Sequence, residues 1–79
     1  MVFIRKLRPG QRAPGTADRI YIDRLGGQLS WTGSVEVKGS AVVGASAAQF
    51  TTIQDAEMDA IAWARGQGVT ELHIEVPQT

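Results

Sequence analysis

Two groups of side chains in this sequence have the composition of a reactive site. Glu71, His73 and Glu75 alternate with Leu72, Ile74 and Val76, and at the period of a strand that puts both carboxylates and the imidazole on one face. Carboxylate and imidazole are donors for a divalent metal or for proton transfer, although alternate charges on a strand are more often just its solvated face. Glu57 is the second case. At about 100° per residue, Ile53, Ala56, Ala60, Ile61, Trp63 and Ala64 form one apolar arc, and Glu57 falls inside it. A carboxylate turned towards a core needs a partner to offset its lost hydration. The expected resolution is that Glu57, in the first two turns, is favoured by the helix dipole and leans outward past the small alanines. A metal-binding or acid–base role would need a second acid beside it.

Other chemistries are excluded by residue type. The chain has no cysteine, so it has no disulfide, thiolate zinc site or cysteine nucleophile. His73 is its single histidine, which cannot make a structural zinc site alone. Ser30, Ser34, Ser40 and Ser46 lack a base, because His73 is expected on the outer face of the last strand. Gly26-Gly27 and Arg65-Gly66-Gln67-Gly68 do not have the spacing of a phosphate loop. Trp31 and Trp63 are expected to point inward as core partners. No cofactor is expected.

The elements that must carry these side chains follow from periodicity. Val2–Leu7 reads as a short first strand, and residues 8–18 as a flexible loop containing proline and glycine. Arg19–Leu25 and Gln28–Lys38 read as strands joined by a tight Gly26-Gly27 turn. In the second, Leu29, Trp31, Gly33, Val35 and Val37 face one way. Ala41–Phe50 continues as a third strand whose inward side is undecided, because Val42 and Val43 are adjacent. Thr51 and Thr52 offer N-caps, Thr51 with Gln54 fitting a capping box. The helix runs through Asp55–Ala64, ends near Gly66 or Gly68, and is followed by a strand over Val69–Val76. The expected fold is α+β: a two-layer sandwich in which an antiparallel meander is followed by one helix and a returning strand. Residues 1–79 are expected to form a single small domain.

Hairpin register decides where Asp23 points. A two-residue turn pairs Arg24 with Leu29, Ile22 with Trp31 and Ile20 with Gly33, sending both isoleucines inward and Asp23 to the polar face. A three-residue loop reverses this. Two isoleucines make the better core pair, which favours the first register.

Charge is unevenly divided although the net is zero. Residues 1–24 hold six basic side chains against two acidic, and residues 25–79 hold two against six. A basic segment containing Arg5, Lys6, Arg8 and Arg12 could contact nucleic-acid phosphates. It lacks the interleaved aromatics of single-strand binders, so the favoured reading is that the two halves attract each other in the fold or simply solvate it. No stretch is long and apolar enough to span a membrane, and Met1–Leu7 is too short for a signal-peptide core. A cytoplasmic location is expected.

Ile20-Tyr21-Ile22-Asp23, the glycine hairpin, the meander, Ala56-Glu57 with Ala60-Ile61, and Leu72-His73-Ile74 resemble the first half of the ribonuclease H fold over residues 19–76. The resemblance implies that Asp23 and Glu57 match the first two ligands of a site for two magnesium ions, which activate water and stabilise the leaving oxygen. Arg24 stands where that family tends to place glycine, and Pro77 where its third carboxylate belongs. A complete nuclease site is therefore not expected.

Two functions follow from different classes. The first is a small non-enzymatic protein-interaction module; in size and one-helix architecture it resembles phage-encoded inhibitors such as anti-CRISPR proteins, and antitoxins, which implies an inhibitor of a larger nucleic-acid-processing complex. Its contacts are expected from Arg5, Lys6, Arg8 and Arg12, with Asp55, Asp59, Glu71 and Glu75 mimicking phosphates to a basic partner. The second is a reduced ribonuclease H-like domain binding a divalent metal or nucleic acid through Asp23 and Glu57. A monomer or a homodimer joined at strand edges is expected.

Overall fold

Apolar alternation closes the chain into one sheet with one covered face. The computed structural model describes residues 3–8, 10–11 and 18–77. Strands β1 (Phe3–Lys6), β2 (Arg19–Leu25), β3 (Gln28–Val37) and β4 (Ser40–Ala45) precede helix α1 (Ile53–Gly66), and β5 (Glu71–Glu75) follows it. The five strands lie in the order β1-β5-β2-β3-β4. The α+β architecture expected from the sequence is the one observed: β2, β3 and β4 form the antiparallel meander, and β5 returns parallel to β2. It enters between β2 and β1, and β1 pairs with it in parallel.

The favoured register is also the observed one. Arg24 lies opposite Leu29, Ile22 opposite Trp31 and Ile20 opposite Gly33. Gly26 and Gly27 both have positive φ, 60° and 81°, and Lys38 and Gly39 repeat the pattern at 53° and 80°. Two positive φ values in a two-residue loop match the right-handed twist of the flanking strands, and glycine reaches them without a Cβ penalty. Lys38 is the residue that bears the strain. Lys38→Asn is expected to stabilise the protein by about 0.5–1 kcal/mol, seen as a rise of several degrees in the thermal midpoint; an unchanged or lower midpoint would refute it.

Of the two threonines the sequence offers as N-caps, the helix uses Thr52. Thr52, extended at φ −127° and ψ 150°, accepts the Asp55 N–H on its hydroxyl at 3.1 Å. Thr52 and Asp55 therefore form the cap, in place of Thr51 and Gln54, with Asp55 well placed in the first turn for the dipole. At the other end Gly68 adopts φ 85°. Its N–H donates to the Arg65 carbonyl at 3.0 Å, and that of Val69 to the Ala64 carbonyl at 3.2 Å. These paired bonds satisfy the last free carbonyls and turn the chain into β5.

The core lies between α1 and one side of the sheet. Ile20, Ile22, Leu72 and Ile74 are its largest fully buried side chains, and Ala56, Ala60 and Ala64 bring the helix close to them. Trp63 is only half-buried. Its indole covers the bare backbone of Gly33 and Gly44, where an added Cβ would lie 2.5 Å from ring atoms. It meets Trp31 at a centroid distance of 5.2 Å and a tilt of 44°.

This packing settles the parity of β4: Val42 and Gly44 face the helix, while Ala41, Val43 and Ala45 are exposed. The strand ends at Ala45, where the sequence suggested it ran to Phe50. The Ser46 N–H donates to the Trp31 carbonyl at 2.9 Å. The Ser46 hydroxyl, however, takes the Trp31 N–H at 3.2 Å in place of the ladder carbonyl. The chain then bulges away and rejoins β3 at an isolated Phe50–Leu29 bridge.

Candidate functional site

With α1 on one side, no described helix or strand covers the other side of the sheet, and its residues follow from parity. Arg19, Tyr21 and Asp23 of β2 point there, as do Glu71, His73 and Glu75 of β5 and Arg5 of β1. In register, His73 sits between Arg5 and Arg19, and Arg19 lies opposite Ser34. Arg5 pairs with Glu71 at 3.6 Å. Both of those side chains are largely exposed, so the pair contributes little to stability. The Nδ1 atom of His73 is buried and has no hydrogen-bond partner among the described residues. Ser34 and His73 are separated by β2, about 9–10 Å in sheet spacing, too far for the hydroxyl to use the imidazole as a base.

A cleft of about 570 Å³ opens on this face. Its floor carries Arg19, Tyr21, Thr32, Ser34, Val43 and Glu75, and Gly10 and Gln11 border it on one side. The Gly10 N–H reaches the Val76 carbonyl at 3.4 Å, which brings the start of the β1–β2 connection to the end of β5. Asp18 secures the other end of that connection. Its carbonyl accepts the His73 N–H at 2.9 Å, and its carboxylate accepts the Glu36 N–H at 2.9 Å. The cleft thus combines a guanidinium, a carboxylate, a phenol, two hydroxyls and an exposed valine.

The sequence-derived candidates are distributed rather than gathered. Glu57 does not lean out past the alanines as expected: it is 6% exposed, and its Oε2 lies 3.0 Å from the Lys6 Nζ. The physical reason is β1, which reaches the carboxylate from the sheet edge with a cation that offsets its lost hydration. Lys6 is consequently committed to the domain's own helix. Together with Arg5–Glu71, it realises the expected attraction between the basic and acidic halves. Asp23 is exposed on the uncovered face, whereas Glu57 is buried between sheet and helix, so the structure does not bring these two carboxylates together. Among the described residues no group of three or more His, Asp or Glu side chains is placed to hold a metal ion.

On the helix exterior, Asp55 is exposed beside its cap. Asp59, expected as a free acidic contact, instead accepts the Trp31 indole N–H on Oδ2 at 2.8 Å, satisfying the polar atom of a buried tryptophan. Arg8 is exposed, and its N–H donates to Gln11 Oε1 at 3.0 Å. Arg12, and with it most of the proposed flexible 8–18 loop, lies outside the described residues. Glu71, His73 and Glu75 do share the outer face, as their spacing indicated. Arg19, Tyr21, Thr32, Ser34 and Val43 are not among the binding residues expected from the sequence. The favoured β2–β3 register contained the signal for the first four, since it already placed them on that face.

No protein-family model, curated protein or solved structure matches this chain. Among the described residues no helix is long and apolar enough to cross a membrane.

Proposed function

We propose that the chain is a non-enzymatic protein-interaction module whose recognition surface is the uncovered sheet face, centred on the Arg19–Tyr21–Glu75 cleft. The observation that carries this reading is the make-up of that cleft. It juxtaposes opposite charges, an aromatic and small hydroxyls around an open floor, a combination suited to an extended polypeptide. Arginine and tyrosine are the side chains most often found to anchor protein interfaces. An inhibitory or antitoxin-like role, in which this face covers a working surface of a larger complex, is the specific form proposed. The rigid sheet supports it, because a preformed surface loses little entropy on docking.

The test is affinity capture with tagged protein from bacterial lysate, treated with nuclease and washed at high salt. The wild-type chain is expected to retain one protein in near-stoichiometric amount, and Arg19→Glu/Tyr21→Ala to lose at least tenfold of it with its circular dichroism unchanged. Asp55→Lys, on the helix exterior, is expected to retain it. Loss with Asp55→Lys alone would move the interface to the acidic helix. Material removed by nuclease and salt would replace the reading with electrostatic nucleic-acid binding.

A further inference from the structure

The two edges of the sheet differ sharply. β1 is short and carries Arg5 and Lys6, the type of charge that blunts an edge against pairing. β4 is Ser-Ala-Val-Val-Gly-Ala, with no charge and no proline, and Val43 is 76% exposed. Among the described residues nothing pairs with its outer side.

The ladder shows which groups that outer side offers. Because the Ser46 N–H donates to the Trp31 carbonyl, the pairs Gly44–Gly33 and Val42–Val35 are the hydrogen-bonded ones of the β3–β4 ladder, given the alternation of an antiparallel pair. The N–H and C=O groups of Ala41, Val43 and Ala45 therefore point away from the sheet.

From this edge we infer that the protein forms a two-fold homodimer by antiparallel pairing of β4 with β4 of a second copy, centred on Val43. The occupant is argued from self-complementarity. A two-fold axis perpendicular to the sheet keeps each face on its own side, so the register must centre on one residue opposite its own equivalent rather than between two. Centring on Val43 opposes Ala41 to Ala45 of the second copy, Val43 to its own equivalent, and Ala45 to Ala41, and all six outward N–H and C=O pairs are used. Centring on Val42 leaves two of those pairs unmade. On the helix side the chosen register sets Val42 of each copy against Gly44 of the other, where Trp63 overhangs a glycine with no side chain of its own. The same copy cannot dock comparably through β1, where Arg5 and Lys6 would bring the like charges of the two copies close together. In the dimer both helices lie on one face, and the two clefts lie on the other, flanking a Val43–Val43 seam.

One strand pair with small side chains falls at the low end of interface sizes, below roughly 1,200 Å², so a dissociation constant of about 1–100 μM is expected. Sedimentation equilibrium of the full chain from about 5 μM to about 1 mM should show the average mass rising from 8.5 kDa towards twice that value. Val43→Lys, which sets like charges across the axis, should weaken association at least tenfold, and Phe3→Lys on the opposite edge should leave it unchanged. In hydrogen exchange, the amides of Ala41, Val43 and Ala45 should gain protection with concentration. Those of Val42 and Gly44 should be protected throughout, including in Val43→Lys, which shows β4 still seated on β3 in the variant. A monomer across the whole range, association insensitive to Val43→Lys or abolished by Phe3→Lys, or exchange at Ala41, Val43 and Ala45 independent of concentration would each overturn the inference.

Discussion

Trp63→Ala is expected to remove about 3 kcal/mol of stability. A domain of this size has of the order of 5 kcal/mol in total, so the urea midpoint should fall by half or more. The indole fills three roles at once: it packs on Trp31, roofs Gly33 on the inner strand β3, and roofs Gly44 on the edge strand β4. Its loss uncovers Gly44, where the ring supplies the three nearest atoms, and leaves Ile20 as the side chain beside Gly33. A double-mutant cycle separates these roles. An alanine Cβ at position 44 would lie 2.5 Å from two carbons of the ring and 2.7 Å from its nitrogen, so Gly44→Ala should cost about 1–3 kcal/mol in the wild-type background. In a Trp63→Leu background the same change should be neutral or stabilising, because glycine is a poor strand residue. Equal costs in both backgrounds would mean that the tryptophan is not what requires the glycine.

Lys6→Met is expected to cost about 2 kcal/mol, because it leaves the buried Glu57 carboxylate without its counter-charge. The figure is set below that of a fully buried pair because the Lys6 side chain is 66% exposed, so water already weakens the attraction. Removing both partners, in Lys6→Met/Glu57→Leu, should recover most of the loss, since an apolar side chain needs no partner at that position. Equilibrium urea denaturation of the three proteins decides the point. A single variant within about 0.5 kcal/mol of wild type, or a double variant less stable than the single, would show that the ion pair is not what accommodates Glu57.

What could be read in the sequence was local, or followed from one face being apolar. The glycine turn and the pair Ile20–Ile22 determine the β2–β3 register, and with it the outward position of Asp23. The helix arc and the Leu72–Ile74 alternation identify α1 and β5. The missed features each depend on residues far apart in the chain. Nothing near Phe3–Lys6 announces a parallel partner at Glu71–Ile74, so the cation that neutralises Glu57 could not be paired with it in advance. The parity of Val42 and Val43 is settled by Trp63 above Gly44, not by any pattern within β4. Asp59 looked like a surface charge because its partner, the Trp31 indole, comes from the sheet beneath. The candidate site was half legible for the same reason. The Glu71–His73–Glu75 stripe is a strand period, whereas the cleft arises only when β2, β3, β4 and β5 lie side by side.

The position of β5 also constrains the order in which the molecule can be assembled during synthesis. The meander of β2, β3 and β4 is held by short hairpins and can pair as soon as residue 45 is available. Among the described residues β1 has a single neighbour, β5, which is made after β2, β3, β4 and α1. β1 must therefore wait without its sheet partner until β5 has taken its place beside β2. Until then Lys6 cannot be delivered to Glu57 by the sheet. Completion of the described sheet is thus tied to the arrival of β5, and a chain released before residue 71 would lack both parallel pairings, β1 with β5 and β5 with β2, together.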